Sequence, residues 1–536
     1  MFNRRGFLKS ASVAAAGSVG LPHIARPAEV LHAQRGQSPR HIIHLVSDGM
    51  SAGTLSCADQ FSQISRGRDS TWMTLGRKPT TTHGLMNMRS LNSLVTDSSA
   101  AASSWGSGTR IINGKVNRMS DGRPLKTLYE LLREAGWRTG LVTTAEITHA
   151  TPAGFVACVE KRDEATTIAR QYLDREVDVL LGGGAKFFDP KYRLDKQDLR
   201  AAFAGAGYFV MDNKAQLSTA PGDRRWLGLF ARGHVPYTID HLADPKLQAN
   251  VPTLAEMTAA ALRRLEHSSH FMLQVEGARI DHACHNNDAA ATFHDQLAFD
   301  EALDVCLEFQ QRVPDTLLVI STDHGNANPG LNGTGDSYKD SSARFANLQQ
   351  VKRSFVAMLP ELKRQSAETS EGTETDAAAD KAREVAKSKE EKEQERIQKK
   401  IRDEDVATPT EIIEIIAEAT GYKVPHEKAQ ALRTHLTGAA KALYDMRKSD
   451  VCALGEVMSN FHAVGFTGTA HTSDYVPVMA VGPGAEKFAG FIQNTDVFQR
   501  YLEFAKIDFR NPDEPLTARH DAAPGGGENV EEYQLV

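Results

Sequence analysis

Cysteine is scarce: Cys57, Cys158, Cys284, Cys306 and Cys452 are the only five in 536 residues, and no two form a CxxC pair. An odd, scattered set excludes a disulfide framework as the basis of the fold. Long apolar runs are missing as well, since no stretch beyond the N-terminus approaches the roughly 20 consecutive apolar residues that a membrane-spanning helix needs. Positive charge is not in excess either. A formal net charge of -6 gives no electrostatic case for nucleic acid as a structural partner. Nucleotide cradles are absent too, because the triplet Gly182-Gly183-Gly184 lacks the spacing of GxGxxG or GxxxxGK[ST]. What remains is 41% hydrophobic and 24% charged, the composition of a soluble globular protein, and the chain is long enough for one large α/β domain with insertions or for two or three ordinary domains.

The N-terminus has a character of its own. Asn3-Arg4-Arg5-Gly6-Phe7-Leu8-Lys9 has the pattern of a twin-arginine export signal, and the weakly apolar run 11–21 follows it. The expectation is a signal peptide over 1–33, removed near Leu31-His32-Ala33, with export of a folded protein to a periplasmic or extracellular location. A catalytic unit is expected over 40–350 and 450–506, interrupted by a charged, helical insertion at 351–449 and followed by a flexible tail at 507–536. Within the insertion, 360–405 is rich in Glu, Lys, Asp and Ala with almost no aromatic residue, a composition that solvates rather than packs.

Several apolar runs of strand length end in residues that bind metals. Residues 41–46 lead to Asp48-Gly49, 271–275 to Glu276-Gly277, and 316–321 to Asp323-His324-Gly325. Ligands of open α/β sheets bind at the carboxyl ends of strands, which is where these side chains would stand. After Gly277 a helical turn would place Asp281 and His285, four apart, on one face, a pairing that suits zinc, whereas Glu276 on the strand end suits a separate oxygen-loving ion such as magnesium. A glycine-rich loop presents His471 ahead of another strand, 476–481. The run 139–145 exits into Glu146, Thr148, His149 and Thr151, with Arg162 a short way on. A guanidinium there has the shape to grip two phosphate oxygens. Residues 94–105 carry Asp97-Ser98-Ser99 into a small-residue helix. Either serine reads as a helix cap, and a nucleophilic role would need a base or a metal to ionise the hydroxyl.

Together the motifs VSDGM, VTDSSAAASS, THATPAG, QVEGARIDHACH, STDHGN and TGTAHTSDYVPVMAVGPG, in this order, resemble the alkaline phosphatase family over about 41–346 and 461–502. The resemblance implies an α/β fold with a large mixed central β-sheet flanked by helices on both faces. It implies Ser98 as nucleophile and Arg162 as phosphate clamp. Asp281, His285 and His471 would hold one Zn2+, Asp48, Asp323 and His324 a second, and Asp48, Thr151 and Glu276 one Mg2+. His149 and His282, which would line the substrate site, stand where some bacterial members have aspartate and lysine. Both match animal members, so the third site is open to zinc as well. The implied reaction is hydrolysis of small-molecule phosphate monoesters through a phosphoserine, and a homodimer is compatible with it. The rivals are a phosphodiesterase on the same scaffold and a non-catalytic phosphate- or zinc-binding exported protein. Arg162 favours the dianionic monoester, and no Cys/Ser-x-Pro-x-Arg element supports a sulfatase.

Overall fold

The computed structural model describes residues 38–364, 405–438, 444–447 and 449–516. The expected signal at 1–33, most of the charged stretch within the insertion, and the tail beyond 516 lie outside the described residues.

Among the described residues fourteen strands form: β1 (His41–Val46), β2 (Thr82–Asn87), β3 (Arg138–Glu146), β4 (Val179–Gly183), β5 (Tyr208–Met211), β6 (Arg225–Leu229), β7 (Phe271–Glu276), β8 (Thr316–Ser321), β9 (Gly325–Asn326), β10 (Gly330–Leu331), β11 (Val464–Gly465), β12 (His471–Thr472), β13 (Val476–Val481) and β14 (Gly490–Gln493). Ten of them make one sheet in the order β14-β2-β13-β8-β1-β7-β3-β4-β6-β5. β13 runs antiparallel to both its neighbours, and the other pairings are parallel. The sheet is therefore mixed, as the resemblance implies. The central strands β1, β7 and β8 are buried at every position, which is why they read as continuous apolar runs rather than alternating ones.

Helices cover both faces. One face packs Ile42 and Val46 of β1 with Trp105, Phe155, Tyr172 and Tyr501; the other packs Ile43 and Leu45 with Trp72, Phe299 and Phe309. The period of two along β1 thus feeds two separate cores. A third cluster joins Phe61 and Phe293 to Phe355, Ile412, Ile416, Leu432 and Leu436. The described helices of the insertion share this core with the body of the molecule.

Five helices matter for the site: α1 (Ala52–Arg66), α2 (Ser98–Ser107), α3 (Ala150–Val156), α4 (Arg279–His285) and α5 (Ala289–Arg312). Asp97 caps α2 by accepting from Ala100 N at 2.8 Å, and every residue of α2 is buried. α2 and α3 meet backbone to backbone. A Cβ on Gly106 would strike the Gly154 carbonyl, and one on Gly154 would reach Ala102 Cβ at 2.5 Å, so the glycines allow α2 and α3 this close approach. Asn511, in the segment assigned to the tail, donates to the carbonyls of Ser107 and Lys126, both at 2.8 Å.

Candidate metal centre and nucleophile

The carboxyl ends of β1, β7, β8 and β3 converge. Gly49 (φ +67°) turns the chain immediately after Asp48, and a Cβ there would collide with the Asp281 carboxylate. Only glycine allows the β1 turn to lie this close to α4. Three sets of potential ligand atoms result, those of each set lying within 4.8 Å of one another: Asp281 with His285 and His471, Asp48 with Asp323 and His324, and Asp48 with Glu276 and His149.

In the first set His285 Nε2 lies 3.3 Å from Asp281 Oδ2 and 3.1 Å from His471 Nε2. Each imidazole is aimed from behind. His285 Nδ1 meets the Thr469 carbonyl at 2.6 Å, and His471 Nδ1 meets the Thr96 carbonyl at 2.9 Å. A carbonyl can only accept, so both Nδ1 atoms carry hydrogen and both Nε2 lone pairs face the set. Asn326 Nδ2 donates to Asp281 Oδ1 at 2.6 Å and fixes the carboxylate. The two-residue ladder of β9 with β12 holds His471 against Asn326.

The second set is drier. His324 Nε2 stands 3.1 Å from Asp323 Oδ2 and 3.6 Å from Asp48 Oδ1, all fully buried. Ser98 Oγ lies 3.1 Å from the same nitrogen, which places the hydroxyl against this set and at the first turn of α2, where the helix dipole favours an anion. Ser99 Oγ points elsewhere, donating to Asp97 at 2.6 Å. In the third set Thr143 donates to Glu276 Oε2 at 2.5 Å.

Burial raises the Asp48 carboxyl well above the usual range, reinforced by Asp323, Asp281 and Glu276 nearby. Burial likewise pushes Glu276 up to about 7, against the Thr143 and Thr151 hydroxyls. Burial opposes ionisation of Asp281 too, but His285 and His471 hold its carboxyl well below the ordinary value. Both oxygens of Asp48 and Oε1 of Glu276 are buried with no hydrogen-bond partner. Four carboxylates packed this way are costly without compensating positive charge, and the mixed nitrogen and oxygen donors fit divalent cations.

Arg162 reaches in from the loop after α3. Its Nη1 donates to Asp97 Oδ2 at 3.1 Å and its Nη2 lies 3.5 Å from His149 Nε2. Asp97 also accepts from Gly114 N at 2.9 Å, so one carboxylate caps α2 and anchors the arginine. His282 joins none of the three ligand sets. Its ring lies 5.3 Å from that of His149 and 4.5 Å from that of His234, centroid to centroid, and its Nδ1 is 2.8 Å from Arg279 Nη1. Burial, with Arg279 and His149 adding to it, lowers the His282 pKa well below the ordinary value.

The fold thus gathers every residue singled out from the sequence: Asp48, Ser98, His149, Thr151, Arg162, Glu276, Asp281, His282, His285, Asp323, His324 and His471. Sequence reading assigned His149 to substrate; its ligand atom also falls within reach of Asp48 and Glu276. Sequence reading gave no role to Asp97, Arg279, Asn326 or His234. Asp97 sits inside the VTDSS motif, where its place before the helix was a visible signal, whereas His234 lies in no motif at all.

The sequence profile of the alkaline phosphatase family matches residues 39–507. The chain is 29% identical over 411 residues to alkaline phosphatase 4 of Bacillus subtilis, covering 75% of each. It is 36% identical over 361 residues to streptomycin-6-phosphate phosphatase of Streptomyces griseus, covering 58% of this chain and 79% of that one. Among solved structures, Thermus thermophilus alkaline phosphatase superposes with a TM-score of 0.77 at 32% identity, over 90% of this chain and 95% of that one.

Proposed function

The chain belongs to the alkaline phosphatase family and hydrolyses phosphate monoesters by the family's metal-dependent route through a phosphoserine; from that premise we propose how its own residues divide the work. Ser98 is the nucleophile. The observation that carries this is its Oγ, 3.1 Å from His324 Nε2 at the start of α2, while Ser99 is committed to Asp97. Arg162, held by Asp97, grips two oxygens of the phosphoryl group and favours the dianionic monoester over a diester. His149 and His282 line the same wall.

Asp281, His285 and His471 would hold one zinc ion and Asp48, Asp323 and His324 another, both sets mixing imidazole and carboxylate. Asp48, Thr151 and Glu276 offer oxygen alone and suit magnesium, while the imidazole of His149 beside them leaves the site open to zinc. Bound there, divalent cations would supply Lewis acidity, favouring the Ser98 alkoxide and stabilising charge on the departing oxygen. The chain's contribution is orientation: carbonyls behind His285 and His471 aim the imidazoles, and the dipole of α2 favours negative charge at Ser98.

Acid quenching during turnover of an aryl phosphate, followed by peptide mapping, tests the assignment. A phosphoryl group on Ser98, lost in Ser98→Ala, is the expected result. Label on Ser99 would show that the nucleophile is misassigned.

Two further readings rest on the sequence and surface. Arg4-Arg5 with the run 11–21 supports export by the twin-arginine route to a periplasmic or extracellular location; retention of activity inside the cell in an Arg4→Lys/Arg5→Lys variant is the expected result, and unchanged export would contradict it. Leu85, Tyr475 and Phe491 are all exposed, and the last two rings meet edge to face at 4.8 Å. This apolar patch supports a homodimer, which sedimentation would reveal as twice the chain mass; a monomer would contradict it.

A further inference from the structure

Arg279 stands at the first turn of α4, two residues before Asp281, and is only 5% exposed. Its guanidinium carbon lies 3.7 Å from the centre of the Tyr237 ring. That ring is itself fixed, its hydroxyl accepting from Asn286 Nδ2 at 3.1 Å. The backbone of Arg279 is pinned as well, its N–H donating to Thr144 Oγ1 at 3.2 Å. Stacked and pinned in this way, the side chain has little freedom. Its Nη1 meets His282 Nδ1 at 2.8 Å.

That contact decides where the imidazole proton is. A guanidinium never gives up its hydrogens in a protein and has no lone pair to offer, so Nη1 donates and Nδ1 must accept. A neutral imidazole with an accepting Nδ1 carries its hydrogen on Nε2. His282 Nε2 is buried and has no hydrogen-bond partner. The ring stands beside those of His234 and His149, 4.5 and 5.3 Å away between centroids, and His149 Nε2 in turn lies 3.5 Å from Arg162 Nη2. A buried N–H without an acceptor is costly unless something fills the place.

We propose that Arg279 is a positioning residue for phosphate binding: clamped on Tyr237, it holds His282 as the Nε2–H tautomer, so that the ring donates to the phosphoryl group, directly or through one water, and withholds its lone pair from a metal ion. The proposal rests on the phosphatase reading of the site. It separates His282 from its neighbours Asp281 and His285, whose ligand atoms belong to a metal set.

The test is a double-mutant cycle on the full metal-loaded chain, with inorganic phosphate as competitive inhibitor of aryl phosphate hydrolysis. Arg279→Met and His282→Ala each weaken inhibition about tenfold, the worth of one hydrogen bond to a charged acceptor, and the double variant also weakens it about tenfold. Independent losses multiplying to roughly a hundredfold, or an Arg279→Met variant that binds phosphate like wild type, overturn the proposal. Nitrogen-15 NMR of histidine-labelled wild-type protein, with His282→Gln to assign the signal, needs no folded Arg279 variant. A protonated Nε2 and bare Nδ1 are expected, and the opposite tautomer overturns the assignment. Were the wild-type chain inactive on every monoester, the phosphatase reading would fall while the NMR result still judged the tautomer.

Discussion

Replacing Arg162 by alanine should separate two substrate classes that the rest of the site treats alike. In the free protein the guanidinium is oriented by Asp97, which has three other donors, Ala100 N, Gly114 N and the Ser99 hydroxyl. Asp97 therefore keeps its cap on α2 when the arginine goes, and the loss should fall on substrate rather than on folding. A dianionic monoester offers two free oxygens to the two Nη groups. Two charge-assisted hydrogen bonds at ~1.5 kcal/mol each make ~3 kcal/mol, or roughly 150-fold in kcat/KM. A methyl diester carries one charge fewer and engages about one such bond, for a loss of roughly tenfold. Steady-state kinetics on an aryl phosphate and its methyl diester, with melting temperature as a check on folding, gives both numbers. Equal losses on the two substrates would refute the clamp.

Three other outcomes follow from the same geometry. Stripping metal with a chelator should lower the melting temperature by about 4 °C, the effect of losing ~4 kcal/mol of ligand stabilisation in a protein of this size, and zinc with magnesium should restore it; an unchanged melt would mean that the buried carboxylates need no cation. His462, buried with Nδ1 accepting from Val464 N at 3.1 Å, has its pKa lowered by burial to about 3 from 6.5. The unfolded chain takes up that proton first as pH falls below 6.5, so stability is lost on acidification through the window from 6.5 towards 3. The amount is about 1.4 kcal/mol per pH unit, or about 2 kcal/mol at pH 5; His462→Asn should remove that slope, and identical pH profiles would contradict it. All five cysteines are buried and unbridged, so a reductant should leave the melt within about 1 °C, whereas a fall of several degrees would expose a bridge.

Much of this was legible in the chain because the central strands are buried on both faces. Their runs of Ile, Leu, Val and Phe stand out, and each run stops at a carboxylate or histidine beside a glycine. The helix carrying Asp281 and His285 and the small-residue helix after Asp97 were legible for the same local reason. The edge of the sheet was not. β2 reads Thr-His-Gly-Leu-Met-Asn and is only partly buried, so its place between β13 and β14 is set by partners nearly 400 residues away. Residues 94–95, apolar in sequence, are exposed: Leu94 is 64% accessible. Arg279 and His234 escaped notice because their meaning lies in contacts with Tyr237, His282 and Glu146. None of these is a neighbour at strand or helix spacing except His282.

The proposed reaction depends on cations flanking the Ser98 hydroxyl. Anomalous diffraction at the zinc edge, from crystals of the zinc- and magnesium-loaded protein, measures this directly. Two peaks are predicted, one enclosed by Asp281, His285 and His471 and one by Asp48, Asp323 and His324, with Ser98 Oγ beside the second. Peaks at other side chains, or none in a protein that still turns over phosphate monoesters, would contradict it.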